Sequence, residues 1–402
     1  MRLRRTWHAL SAIVGGVVGA GLVLAVGGVS SGRRSEPVVP VSTPDYRVTQ
    51  PAVRGDARLL LAWAPMGSGG LPVDAEQRIE RLPAVADATT VEAGLVWMHR
   101  SVAANGTVVD DPPPGMGIPM EVAIIEPAEY ARFVAPGERE AFAGLTQGEA
   151  VIPETEASLR GSRAGLELAL GGIRLTVTDV VSDVGTNGYE VIMAPPAPPD
   201  MKIVERFLLI HLKRPNARAA VVKELRSLLT SGQVLRVRAQ GETPFLRYGD
   251  AVAPGLLVKK NFGEFAARPL PDGTIDIDPR WEDVNILTSR VPVLGEVTCH
   301  RALFAQLRRS MREIRERGLG FLVHRSQYGG CFGPRFISRD PRGRLSHHSW
   351  GIAIDVNVAE NPFGTRADQD GRLVEAMERA GFTWGGRWLV PDGMHFEWAR
   401  FP

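Results

Sequence analysis

The chain has 402 residues, enough for two folded domains and a tail. A formal net charge of +2, with no block of like charge, excludes nucleic acid as a partner attracted by bulk electrostatics. Arginine carries most of the positive charge, because lysine occurs only at Lys202, Lys213, Lys223, Lys259 and Lys260.

Arg2, Arg4 and Arg5 precede an uncharged run from Ala9 to Val29, and Arg33 and Arg34 follow it. About 20 apolar residues are needed to cross a bilayer core. A cleaved signal peptide has a shorter core, about 7–15 residues, ending in a small-x-small site. No Ala-x-Ala site follows this run, so it predicts an uncleaved transmembrane helix over 9–29. The arginine excess on its N-terminal flank puts a tail of residues 1–8 in the cytoplasm and the rest of the chain outside. Residues 30–55 are rich in Pro, Ser and Val without helical periodicity and read as an extended tether.

Residues 56–254 read as a mixed α/β extracytoplasmic domain. Ile173–Thr178 alternates apolar and polar residues, as a half-buried strand does. Phe207–Leu212 reads as a more buried strand, and Asn216 as the cap of a helix with a stripe at Val221, Val222, Leu225, Leu228 and Leu229. The stretches 144–181 and 207–229 loosely resemble the periplasmic core domain of macrolide-exporter-type ABC permeases. Such permeases need several membrane spans and this chain offers one candidate, so it is not itself a permease. His99 and His211 stand alone, and no acid, base or ligand constellation is visible. The domain is expected to bind or position something, with a membrane protein complex as a candidate partner.

Residues 255–402 change texture. An amphipathic helix is expected from about Arg301, with Leu303, Leu307, Met311 and Ile314 on one face and Gly318 at its end. A second carries Leu373, Val374, Met377 and Ala380, and ends at Gly381. Cys299 and Cys331 lack the CxxC spacing of a zinc ribbon, and an extracytoplasmic location favours a disulfide between them.

The chemistry concentrates in Ser346–Asn357 and Met394–Trp398. Alternation from Ile352 to Val358 sends Ile352, Ile354, Val356 and Val358 to one face and Asp355 to the other, with Gly351 as the turn that returns His348 to its side. In the second segment Met394, Phe396 and Trp398 share one face, and His395 and Glu397 the other. Two histidines and a carboxylate form a tripod that leaves the fourth tetrahedral position of a zinc ion open to water. Asp392, in the turn Pro391–Gly393, is placed to face such a metal as a general base. A lone His-x6-Asp spacing is common by chance, but the joint pattern S-x-H-x-x-G-x-A-x-D followed by D-x-x-H-F-E is far more specific.

That pattern resembles the D-alanyl-D-alanine carboxypeptidase and L-alanyl-D-glutamate endopeptidase family of zinc peptidases, over roughly residues 258–402. The resemblance implies an α+β domain with a small antiparallel sheet, of the fold shared with lysostaphin-type enzymes and the hedgehog signalling domain. It implies Zn2+ held by His348, Asp355 and His395, with Asp392 as the base. Many relatives, including the vancomycin-resistance dipeptidases, have Glu at the base position. His347 is the rival of His348, but only His348 stands three residues before Gly351 and seven before Asp355. Arg335, in Gly329–Arg335, matches a family arginine that meets substrate near the scissile bond, where a planar, permanently charged guanidinium suits a carboxylate or oxyanion. Gln327 and Ser346 are weaker candidates for hydrogen bonds to substrate. Trp350, Trp384 and Trp388 are candidates to line a cleft or to pack in the core.

The expected whole is an α+β protein: transmembrane helix, tether, positioning domain and zinc metallopeptidase domain. Its expected partners are peptidoglycan stem peptides and the membrane, and its expected reaction is D-alanyl-D-alanine carboxypeptidase cleavage. Peptidoglycan endopeptidase cleavage is the alternative, and a non-catalytic wall-binding module is disfavoured by the presence of Asp392.

Overall fold

Long apolar strands organise the first part of the molecule. The computed structural model describes residues 55–401, except 163, 243 and 244, so the segment expected to span the membrane lies outside the described residues. Among those residues, no helix is long and apolar enough to cross a membrane. The strands are β1 (Leu59–Trp63), β2 (Val85–Val102), β3 (Val108–Asp110), β4 (Ile118–Ile125), β5 (Glu149–Pro153), β6 (Glu167–Leu170), β7 (Ile173–Val181), β8 (Val191–Met193), β9 (Glu205–Leu212) and β10 (Arg236–Ala239). They form one sheet in the order β10-β1-β9-β2-β4-β8-β5-β7-β6, with β3 paired to β2. The 18-residue β2 also pairs with β6, which closes the run from β2 to β6 into a ring.

Strands β1 and β9 are apolar at successive positions because both faces of this sheet are covered. Alternate side chains point to opposite faces. Leu59, Leu61, Trp63, Phe207 and Leu209 enter one core with Tyr130 and Phe142. Leu60, Ala62, Leu208 and Ile210 enter another against Val221 and Leu225. The helix bearing Val221 runs Arg218–Ser227, and Asn216 does not cap it. A 3-10 turn at Pro215–Ala217 leads in instead, with the fixed φ of Pro215 presetting the entry.

In the C-terminal part, β11 (Ala267–Pro269) pairs with β12 (Ile275–Ile277), and β13 (Ile286–Val291) with β14 (Gly295–His300). Strands β15 (Ala353–Asp355), β16 (Phe382–Trp384) and β17 (His395–Trp398) form a small antiparallel sheet in the order β15-β17-β16. Helices Phe304–Glu316 and Gly371–Arg379 bury their apolar stripes, Leu307, Met311 and Ile314 on the first and Leu373, Val374 and Met377 on the second, against Ile352, Ile354 and Phe396. Each such side chain contributes about 2 kcal/mol by leaving water. Gly318 and Gly381, at φ 70° and 94°, follow these helices in the left-handed conformation that favours glycine. Cys299 and Cys331 form a disulfide that ties β14 to the loop leading to Arg335. The alternation expected through Val358 ends early: β15 stops at Asp355 because Asn357 turns to φ 54°. The Asn357 amide group donates to Leu322 O and accepts from His324 N, holding that turn.

Charged groups join the C-terminal part to the large sheet. Arg160 contacts Glu156 at 2.7 Å, Asp110 at 3.0 Å and Glu264 at 2.5 Å. Lys259 contacts Glu190 at 2.5 Å and Glu264 at 2.9 Å. Arg344 reaches Glu205 at 3.0 Å, and Gly117 and Ala267 exchange backbone hydrogen bonds. All described residues belong to one compact unit.

Candidate metal centre

Local sequence explains how three donors come together. Ser346 Oγ accepts from the His348 amide at the start of the 3-10 turn His347–Trp350. Gly351 follows at φ 65°, and a Cβ there would lie 2.6 Å from the His300 nitrogen, so glycine is required for both conformation and space. The chain then enters β15, whose register with β17 sets Asp355 opposite His395. His348 Nε2 lies 3.1 Å from Asp355 Oδ2, His395 Nδ1 lies 3.0 Å from Asp355 Oδ1, and the two ring nitrogens are 3.2 Å apart. Ligands around a tetrahedral zinc at about 2.0–2.1 Å stand about 3.3 Å from one another. The triangle matches that edge.

Hydrogen bonding on the far side of each ring tests whether a cation fits. His348 Nδ1 is 2.8 Å from the Cys331 carbonyl oxygen, which can only accept, so Nδ1 carries the proton. His395 Nε2 is 3.2 Å from Glu397 Oε2, so that nitrogen donates to a carboxylate. With both rings neutral, the inward nitrogens are lone pairs facing each other and an ionised carboxylate. Such outer partners are the usual way a protein fixes the tautomer of a metal-binding histidine. Burial opposes charge on Asp355, yet His348 and His395 outweigh it and hold its carboxyl well below the usual range. Burial likewise opposes charge on His395, and Asp355 and Glu397 outweigh it, lifting the imidazole to about 10, so near neutral pH a proton on this ring stands where a bound cation would replace it. The cluster attracts a cation, and its two imidazoles and one carboxylate suit zinc.

His347 takes a different role. Its Nδ1 is 2.8 Å from Glu397 Oε2, the oxygen that also faces His395. Glu397 therefore braces His395 while His347 braces Glu397. The sequence alternation puts Glu397 on the side of His395 but says nothing of this link to His347.

Asp392 stands in the loop before β17. Its Oδ1 is buried without a hydrogen-bond partner, and burial pushes its carboxyl up to about 6; His395 opposes the rise, while the charges of Asp355 and Glu397 add to it. A carboxylate with a free oxygen and a pKa in that range can take and return a proton near neutral pH. Arg335 is held beside the tripod because its amide donates to Ser349 Oγ and that hydroxyl donates back to its carbonyl. The Arg335 guanidinium lies 3.8 Å from Asp355 Oδ2 with its side chain 31% exposed, so part of it is open to a ligand. Burial and the Asp355 charge raise the Tyr328 phenol well above its ordinary pKa.

The remaining sequence candidates separate. The Trp388 ring lies 5.3 Å from that of His395, and Trp384 stacks on Phe396. Trp350 is buried against Phe265 and does not line the site. Gln327 bonds Glu360 and the Ala359 amide, and Ser346 serves as the cap described above.

The α+β fold thus brings together a two-histidine, one-aspartate cluster and, beside it, a carboxylate with an unpartnered oxygen. Residues 339–398 match the family described as D-alanyl-D-alanine carboxypeptidase, whose peptidases are zinc-dependent; the matched segment contains the whole cluster and Asp392. No curated protein matches the chain. A solved domain described as part of a permease from Porphyromonas gingivalis is similar at a TM-score of 0.31 and 14% identity, over 51% of this chain and 99% of that one. The periplasmic region of MacB from Actinobacillus actinomycetemcomitans gives 0.30 at 9% identity, over 46% and 89%.

Proposed function

We propose that this protein is a zinc metallopeptidase that hydrolyses D-amino-acid-containing peptides of peptidoglycan, with removal of the terminal residue from stems ending in D-Ala-D-Ala as its reaction. The observation that carries this reading is the convergence of three ligand side chains, His348, Asp355 and His395, beside the unpartnered carboxylate oxygen of Asp392. Zinc held by the three residues would supply Lewis acidity and a water acidified to a pKa of about 7. Asp392 accepts the proton of the attacking water and returns it to the leaving amine. Arg335 pairs with the terminal carboxylate of the stem or with the oxyanion that develops at the scissile carbonyl. Glu397 holds His395 in the tautomer that keeps Nδ1 free.

The apolar run 9–29 anchors the enzyme and the tether presents it outside the membrane, where such stems occur. Endopeptidase cleavage within the stem is the second reading. It draws on the same closeness of Arg335 to Asp355, which suits an oxyanion as well as a free carboxylate.

The test is mass spectrometry of a pentapeptide stem incubated with the protein. Release of a single D-alanine, sharply reduced by Arg335→Ala and by amidating the terminal carboxylate, is expected. Equal cleavage of free and amidated stems, or cleavage inside the stem, would replace the carboxypeptidase reading with the endopeptidase one. No cleavage of any stem by zinc-loaded protein would end both.

A further inference from the structure

The loop that carries Asp392 is fastened from outside the segment that resembles the peptidases. In Gly385–Asp392, the amides of Trp388 and Asp392 both donate to the Gly385 carbonyl at 3.0 Å, and Gly364 N donates to Pro391 O at 2.7 Å. A Cβ on Gly385 would lie 2.7 Å from the Asp392 carbonyl oxygen, so the two ends of the loop are packed on each other. A shift at its middle is therefore passed to Asp392.

That middle is held by the sheet. The Leu389 amide donates to Asp250 Oδ2 at 2.6 Å, and Asp250 Oδ1 pairs with Arg236 of β10 at 3.1 Å. Arg236 also donates to the Arg387 carbonyl at 3.3 Å. Leu389 packs against the core that contains Trp63 and Phe207. Asp250 is rigidly mounted: Arg238 donates to Gly249 O, and Tyr248 packs on Trp63 and accepts from the Met66 amide. The Asp250 side chain is 12% exposed and lies 139 residues from the amide it holds.

We infer that Asp250 is a positioning residue for the reaction: through Leu389 it fixes the Gly385–Asp392 loop and thereby the aim of Asp392. This rests on the metallopeptidase reading and extends it, since the sheet becomes part of the working site instead of a separate module. A displacement of about 1 Å at a catalytic group can cost about 10²-fold in rate.

The experiment uses the full chain with Asp250→Ala, and with Asp250→Asn, which keeps an acceptor for the Leu389 amide while giving up the pairing with Arg236, and guards against misfolding of the alanine variant. Two readouts are taken. Hydrogen–deuterium exchange across 385–392 should rise in Asp250→Ala and rise less in Asp250→Asn, whether or not any stem is cleaved. On a D-Ala-D-Ala stem, kcat should fall about 10²-fold in Asp250→Ala with KM and zinc content unchanged, and Asp250→Asn should recover part of it. In an Asp392→Asn background the same Asp250→Ala change should cost nothing further, because both act through one carboxylate. Unchanged exchange, or losses that multiply in the double variant, would overturn the inference. A wild-type protein that cleaves no stem while its loop exchange still responds to Asp250→Ala would defeat the function proposed above and leave the fastening of the loop standing.

Discussion

Glu156, Glu190 and Glu264, where the C-terminal part meets the large sheet, bring three oxygens within 4.8 Å of one another, as His348, Asp355 and His395 do with their ligand atoms, yet the two trios differ in what neutralises them. At the junction Lys259 and Arg160 sit among the carboxylates at 2.5–2.9 Å. At the tripod the nearest guanidinium, that of Arg335, is 3.8 Å away, and the ring nitrogens of His348 and His395 face one another at 3.2 Å. Proximity of donors is common to both; permanent side-chain cations meet the carboxylates at the junction, whereas Asp355 faces imidazoles whose protons a metal can displace. The junction is accordingly read as a fastener and the tripod as a metal centre.

Neutralising one carboxylate in each place separates the two roles. Asp392→Asn should keep its zinc and its stability, since the native carboxyl is already strained by burial, and should lose about 10²- to 10⁴-fold in rate. Steady-state kinetics with metal analysis on the same preparation check this, and normal hydrolysis would transfer the base role to another group, with Glu397 next in line. The opposite pattern is expected from Lys259→Met, which leaves Glu190 buried without its cation and Glu264 with Arg160 alone. It should cost about 3–5 kcal/mol in urea unfolding while leaving zinc content unchanged. A cost below about 1 kcal/mol would mean that the junction does not fasten the two parts.

Acid should act on the junction as well. Burial alone would raise Glu264, but Lys259 and Arg160 outweigh it and bring its carboxyl down to about 2. A folded pKa below the ordinary 4.5 means that this group contributes stability above about pH 4.5 and loses it as pH falls towards 2. The thermal midpoint followed by circular dichroism should drop across that window, and Glu264→Gln should flatten the drop. A slope unaltered by Glu264→Gln would assign acid sensitivity to other carboxylates.

Each half of the tripod was legible in sequence because its geometry is local, while the meeting of the halves, 40 and 47 residues apart, was carried by the joint pattern and the family it resembles. Strand alternation fixes the side on which Asp355, His395 and Glu397 emerge, and Gly351 marks the turn that returns His348. The two C-terminal helices were legible for the same reason, through apolar stripes closed by Gly318 and Gly381. The junction was not legible: Arg160 and Glu264 are 104 residues apart, and neither carries a local sign of the other. Asp250 was hidden in the same way, since its partner is a backbone amide with no side-chain signature. Strand β2 was also out of reach, because its 18 residues pair with β9, β4, β6 and β3 and its pattern follows four neighbours. Asn216 looked like a cap, but the proline before it had already set the turn.

Metal content is the most direct test of the difference between the two trios. Inductively coupled plasma analysis should find one zinc per chain in the wild type and in Glu264→Gln, and almost none in His348→Ala. Zinc retained in His348→Ala but lost in Glu264→Gln or His347→Ala, or a wild-type chain that takes up no zinc, would contradict the assignment of the metal to His348, Asp355 and His395.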